Sequence, residues 1–146
     1  MLERRGYMNL KVVRIFFAVG IGGAFGTVLR YALNIQTVSF LFPLGTLIEN
    51  LIGSLLLGFL TGWLVHVKLN DIWKAGLGGG FCGGFTTMST LAADFFGFFG
   101  TSQLNIAIFY LSTSIFGGVF LAFIGYILGE KQNYRYQLSK KAGGIN

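Results

Sequence analysis

Charged residues are scarce in this sequence: five Asp and Glu and eleven Lys and Arg make up 11% of its 146 positions, against roughly 25% in a water-soluble domain. So few charges cannot coat a globule of this size in water, and lipid is the solvent to assume. Cysteine occurs once, which excludes an intrachain disulfide. Cys82 falls inside an apolar segment, where a small buried thiol is the expected role. Histidine also occurs once, as His66 at the edge of an apolar segment, where a structural role is expected. With no nucleophile–base constellation and no cluster of metal-binding side chains, catalysis is not expected. Proline occurs once, against 23 glycines.

What the chain has instead is apolar length. Hydrophobic residues make up 53% and mean hydropathy is +0.68. A helix needs about 20 apolar residues to cross a bilayer, and four stretches reach that length, at 12–33, 41–65, 72–99 and 104–129. The connections are too short to hold a soluble domain. The basic first 15 residues resemble a signal n-region, but no small-residue cleavage site follows, so this segment reads as a retained helix. The expected fold class is an all-α integral membrane protein, with four transmembrane helices in residues 1–129 and a polar, basic tail, 130–146, that frays beyond the last helix.

The net charge of +6 suggests nucleic acid only in a soluble protein. Here it reads as topology and attraction to lipid headgroups. Arg4, Arg5, Lys11 and Arg14 lie at the N-terminal end, Lys68 and Lys74 in the second loop, and Lys131, Arg135, Lys140 and Lys141 in the tail. Four crossings put these three regions on one side, and only Arg30 belongs to the other. The positive-inside rule then predicts both termini in the cytoplasm.

Glycines fall four apart at Gly22 and Gly26, Gly58 and Gly62, and Gly125 and Gly129. That spacing lets helices approach closely in lipid, or simply makes them compact. In the third segment Gly76, Gly78, Gly79, Gly80, Gly83 and Gly84 precede Phe85-Thr86-Thr87, poor helix material at about 1 kcal/mol per glycine. A broken helix is expected there, near Gly83–Thr87, and such a break is tolerated at membrane depth only where protein or a cavity surrounds it. Its ends offer free carbonyls to cations and free N–H groups to anions. The Gly78–Gly83 run also matches GxGxxG, but without a preceding strand that pattern carries no dinucleotide reading.

Polar residues inside the apolar stretches include Glu49, Asn50, Asp94, Tyr110, Ser112, Thr113 and Ser114, and such groups mark a pathway or an interhelical bond. Asn50 can donate its amide N–H to an anion. Glu49 stays open between a proton relay, a partner for Arg30 and a lipid-edge residue.

Four motifs follow in order: Gly22-Gly23-x-x-Gly26-Thr27-x-x-Arg30-Tyr31, Gly45-Thr46-Leu47-x-x-Asn50-x-x-Gly53-Ser54, Gly83-Gly84-Phe85-Thr86-Thr87-x-Ser89-Thr90, and Tyr110-x-x-x-Ser114-x-x-x-Gly118. Together they resemble the Fluc (CrcB-like) family of fluoride channels across all four helices. The resemblance implies an antiparallel dimer with two pores, passive fluoride export, and a structural Na⁺ at the dimer centre held by the backbone carbonyls of Gly83 and Thr86. It also implies that Asn50 donates to fluoride, that Thr46, Ser89, Thr90, Tyr110 and Ser114 line a polar track, and that Arg30 stands at a vestibule.

Two departures qualify it. The family's TTFSTF reads Thr86-Thr87-Met88-Ser89-Thr90-Leu91 here, so Met88 and Leu91 replace phenylalanines whose electropositive edges can face an anion. The charge bias also gives this chain one orientation, which disfavours an antiparallel homodimer and points to a heterodimer with a homologous, oppositely oriented subunit. Competing readings are a small proton-coupled exporter of cationic drugs working through Glu49, and a non-conducting partner subunit.

Overall fold

In lipid a backbone must satisfy its own hydrogen bonds, and the chain is helical almost throughout. The computed structural model describes the backbone of residues 2–40, 42–65, 67 and 69–143, and side chains between Leu10 and Ser139 within that range. His66 and Lys68 lie outside the described residues, as do the side chains of Arg4, Arg5, Lys140 and Lys141.

The first crossing is α1 (Leu2–Thr37) and the second α2 (Leu44–Leu64). The third comes in two pieces. Helix α3, residues 71–85, starts as Asp71–Lys74, widens to a π-helix over Ala75–Cys82 and ends in the turn Gly83–Phe85. Thr86 and Thr87 are extended, and α4 (Met88–Gly100) completes the crossing. The fourth is α5 (Leu104–Gly143). Helices α1, α2 and α5 each contain an apolar span long enough to cross a membrane.

Local chemistry sets the helix ends. Pro43, with φ −74°, immediately precedes α2; its missing N–H falls where helices leave donors unsatisfied anyway. The Asn70 side chain accepts from the Ile72 N–H at 3.2 Å and caps α3. Between α4 and α5, Ser102 takes φ 59° to close a tight turn.

Among the described residues, the N-terminal part of α1, the start of α3 and the continuation of α5 carry Lys11, Arg14, Lys74, Lys131 and Arg135. Lys11 of α1 pairs with Asp71 at the start of α3, and the hydrogen bond from Lys11 holds the exposed Asp71 carboxyl below the usual range. Asn133, fully buried, donates to the Trp63 carbonyl of α2 at 3.0 Å. These contacts place the N-terminal part of α1, the end of α2, the start of α3 and the continuation of α5 side by side. The tail expected to fray is therefore a correction: the helix runs on to Gly143. Residues 130–142 hold strong helix formers and neither glycine nor proline, and Asn133 fastens their first turns to α2.

Two glycine seams hold the crossings together, so the three four-apart pairs serve close approach. Helices α2 and α5 share the most extensive contact. A Cβ on Gly58 would fall on the carbonyl of Ala122, on Gly62 on that of Tyr126, on Gly125 on that of Leu55, and on Gly129 on that of Phe59. Between α1 and α3, a Cβ on Gly22 would strike the Gly76 carbonyl, and one on Gly26 the Phe81 carbonyl. The glycine run itself does not break the helix. It stays helical, widened, because its bare backbone lies against α1.

Enlarging a seam glycine forces two backbones apart. Gly58→Val is expected to destabilise the detergent-solubilised protein by roughly 1–3 kcal/mol, read as a lower thermal midpoint. Gly97→Ala, with nothing within 4 Å of the new Cβ, is expected to leave the midpoint unchanged or raise it slightly.

Candidate functional site

The break in the third crossing is fixed from outside the helix. Asn50, on α2, faces the Thr87 peptide with both ends of its amide: Oδ1 accepts the Thr87 N–H at 2.8 Å, and Nδ2 donates to the Thr87 carbonyl at 3.0 Å. The second Nδ2 hydrogen points toward Ser114 Oγ of α5 at 3.4 Å. Gly53, one turn along α2, leaves room for the Thr86 methyl, which a Cβ there would strike. Thr87 then starts α4 by accepting the Thr90 N–H at 3.2 Å through its hydroxyl. That hydroxyl also lies 3.2 Å from Ser89 Oγ and 3.0 Å from Thr90 Oγ1.

These bonds have a second consequence. In a continuous helix the Gly83 carbonyl would take the Thr87 N–H and the Thr86 carbonyl the Thr90 N–H. Both donors are diverted, to Asn50 and to the Thr87 hydroxyl. The two carbonyls named as cation ligands are thus among those at the break that lose their helical partners. Gly83 is exposed and Thr86 half-buried, on an open face of the subunit.

Nearer the other end of the bundle, fully buried Tyr110 donates to Asp94 Oδ2 at 2.7 Å, and buried Thr46 lines the same cavity as Asp94. Phe42 and Phe98 wall it in, with ring centroids 5.5 Å and 6.0 Å away.

Two cavities flank this core. One, of about 870 Å³, is lined by Thr46, Thr90, Asp94 and Phe98 among others. The other, of about 540 Å³, includes Asn50, Gly83, Thr86, Met88, Leu91 and Ser114. The expected residues therefore divide: Asn50, Ser114, Ser89 and Thr90 gather at the break, whereas Thr46 lies with Asp94 in the larger cavity's lining and Tyr110 bonds to Asp94. Arg30 is half-buried on α1 and lines neither cavity. The two substituted aromatic positions also part company, Met88 being 68% exposed and Leu91 2%.

Glu49 resolves partly. It is fully buried, so it is no lipid-edge residue, and among the described residues neither carboxyl oxygen has a hydrogen-bond partner, Arg30 included. The sequence reading missed Thr87 as the residue Asn50 holds, and Phe42 and Phe98 as the wall around Tyr110. Two polar residues on different helices can be matched only once the helices are set in space.

Asn50→Leu removes both bonds to a buried peptide, and each unsatisfied group costs about 1–3 kcal/mol. Amide hydrogen exchange at Thr87–Thr90 is expected to speed up by about tenfold or more, with amides around Gly58 little changed.

A family model described as CrcB-like protein, Camphor Resistance (CrcB), matches residues 17–126. A protein of Halalkalibacterium halodurans named fluoride-specific ion channel FluC 2 is 47% identical over 121 residues, covering 83% of this chain and 90% of that protein. The fluoride-specific ion channel FluC 1 of Bacillus anthracis is 39% identical over 121 residues, covering 80% and 88%. The fluoride-specific ion channel FluC of Pyrococcus horikoshii is 35% identical over 126 residues, covering 85% and its full length. Matched along nearly all of its membrane-crossing region, the chain belongs to the CrcB-like family.

Proposed function

We propose that this chain is one subunit of a fluoride channel that lets the anion leave the cell passively, in an antiparallel dimer in the cell membrane. The observation that carries the reading is a broken third crossing set beside a row of hydroxyl and amide donors, in a chain whose relatives are named fluoride-specific ion channels. Fluoride is small and strongly hydrated, so stripping its water requires several donors in succession. Tyr110 and Ser114 lie one turn apart on α5, roughly 6 Å. Thr46 and Thr90 supply hydroxyls at the larger cavity, Ser89 and Asn50 at the break. The long contact from Asn50 to Ser114 marks its second N–H as the donor most readily turned to an anion. Larger halides are excluded by width. Glu49 lines neither cavity, and the relatives are named fluoride-specific ion channels, so the drug-exporter reading is not favoured.

The carbonyls of Gly83 and Thr86 suit a structural Na⁺ that is not transported. Hard cations take oxygen ligands, and two carbonyls cannot complete a shell, so an antiparallel partner would add its own pair. Among the described residues no group of three His, Cys, Asp or Glu stands together, leaving backbone oxygens as the donor set here. The basic end of the bundle argues for cytoplasmic termini and one direction of insertion. The partner is then a homologous subunit of opposite orientation, a reading in keeping with relatives that carry the numbers FluC 1 and FluC 2. Met88, exposed beside the break, is the substituted position that would meet this partner.

Fluoride efflux from liposomes tests the proposal. Little flux is expected from the chain alone, and rapid flux that excludes chloride when an oppositely oriented homologue is reconstituted with it. Robust flux from the chain alone would overturn the heterodimer. No flux with any partner would overturn the channel.

A further inference from the structure

Glu49 has no part in the pathway described above, and its surroundings are unusual for a carboxyl group. Its relative exposure is 0%, and among the described residues neither oxygen has a hydrogen-bond donor. It lies one turn from Thr46 on the same face of α2, and next in sequence to Asn50. The charged and titratable groups that act on it come from three packed helices: Arg30 of α1, Asp94 of α4 and Tyr110 of α5. Arg30 forms no ion pair with it, and Asp94 already carries the hydrogen bond from Tyr110.

A carboxylate buried without donors is far less well supported than a neutral carboxylic acid, whose only loss is an unmade hydrogen bond. In a low-dielectric interior, a charge here would act strongly on anything passing Tyr110 and Asp94.

We infer that Glu49 is a proton-binding site beside the anion path: as the neutral acid it lets fluoride pass, and as the carboxylate it repels it. Flux through this subunit therefore falls as pH rises. The sign follows from charge alone, since losing the proton adds a negative charge beside an anion's route. Glu49→Gln keeps the size of the acid and cannot ionise, so it fixes the open form.

The inference rests on the fluoride-channel reading, and two measurements keep their failures apart. The first is fluoride efflux from liposomes holding the full chain with its partner subunit, corrected for protein-free vesicles, between about pH 6 and about pH 9. The expected result is a fall of about tenfold across the range in the wild type and a flat profile at the low-pH level in Glu49→Gln. A flat wild-type profile, or the same slope in both proteins, overturns it. The second is infrared spectroscopy of the same vesicles, which needs no flux. The carbonyl stretch of a protonated carboxylic acid should be present at low pH, vanish on raising pH and be missing in Glu49→Gln. If no protein conducts, the channel reading fails, and the infrared band alone decides the proton site: its absence at every pH overturns it.

Discussion

One side-chain amide settles how the third crossing is built. Asn50 takes both polar atoms of the Thr87 peptide, at 2.8 and 3.0 Å, and so does the work a further helical turn would otherwise do. In lipid an unpaired peptide is too costly to persist, so the helix can stop at Thr86 only because α2 brings a matched donor and acceptor to that depth. Thr87 then caps α4, the Gly83 and Thr86 carbonyls lose their helical donors, and the hydroxyls of Ser89, Thr90 and Ser114 collect around one point. Gly53 belongs to the same device, since any side chain there would push Thr86 out of place.

The rest of the subunit keeps that polar centre in register. Its interior is more polar than its surface: Thr46, Glu49, Thr87, Tyr110 and Ser114 are buried, whereas Phe16, Phe25, Phe116 and Phe123 face outward. Such an arrangement reverses a soluble core and suits a solvent of hydrocarbon. No hydrophobic drive joins helices there, so backbone contact at the glycine seams takes its place. The seam between α2 and α5 holds Asn50 opposite Ser114, and the seam between α1 and α3 holds the widened glycine helix against its neighbour.

Much of this was legible in the amino-acid sequence because lipid imposes simple rules. Apolar length marked the second and third crossings to within a few residues but left out the first ten residues of α1 and the last fourteen of α5, and four-apart glycines marked both seams. The motif around Asn50 and the one around Thr86 and Thr87 marked the two sides of the break. What stayed hidden depends on how helices face one another. The glycine run looked like the break itself, yet it is a packing surface, because its fitness as a helix depends on α1. Glu49 kept three readings until its burial removed one. Met88 and Leu91 looked equivalent three residues apart, but only one of those directions points out of the subunit. The tail looked frayed because composition alone does not reveal that Asn133 reaches back to Trp63.

In the proposed channel, the two carbonyls that the break frees on an open face would hold a small cation shared across the dimer. The most direct measurement is the thermal midpoint of the reconstituted complex as Na⁺ replaces a bulky organic cation at constant ionic strength. The expected midpoint rises with Na⁺, by the equivalent of about 2.7 kcal/mol at a hundredfold excess over the dissociation constant, and the response is lost in Asn50→Leu. A midpoint indifferent to Na⁺, or an equal response in the variant, would contradict the shared cation site.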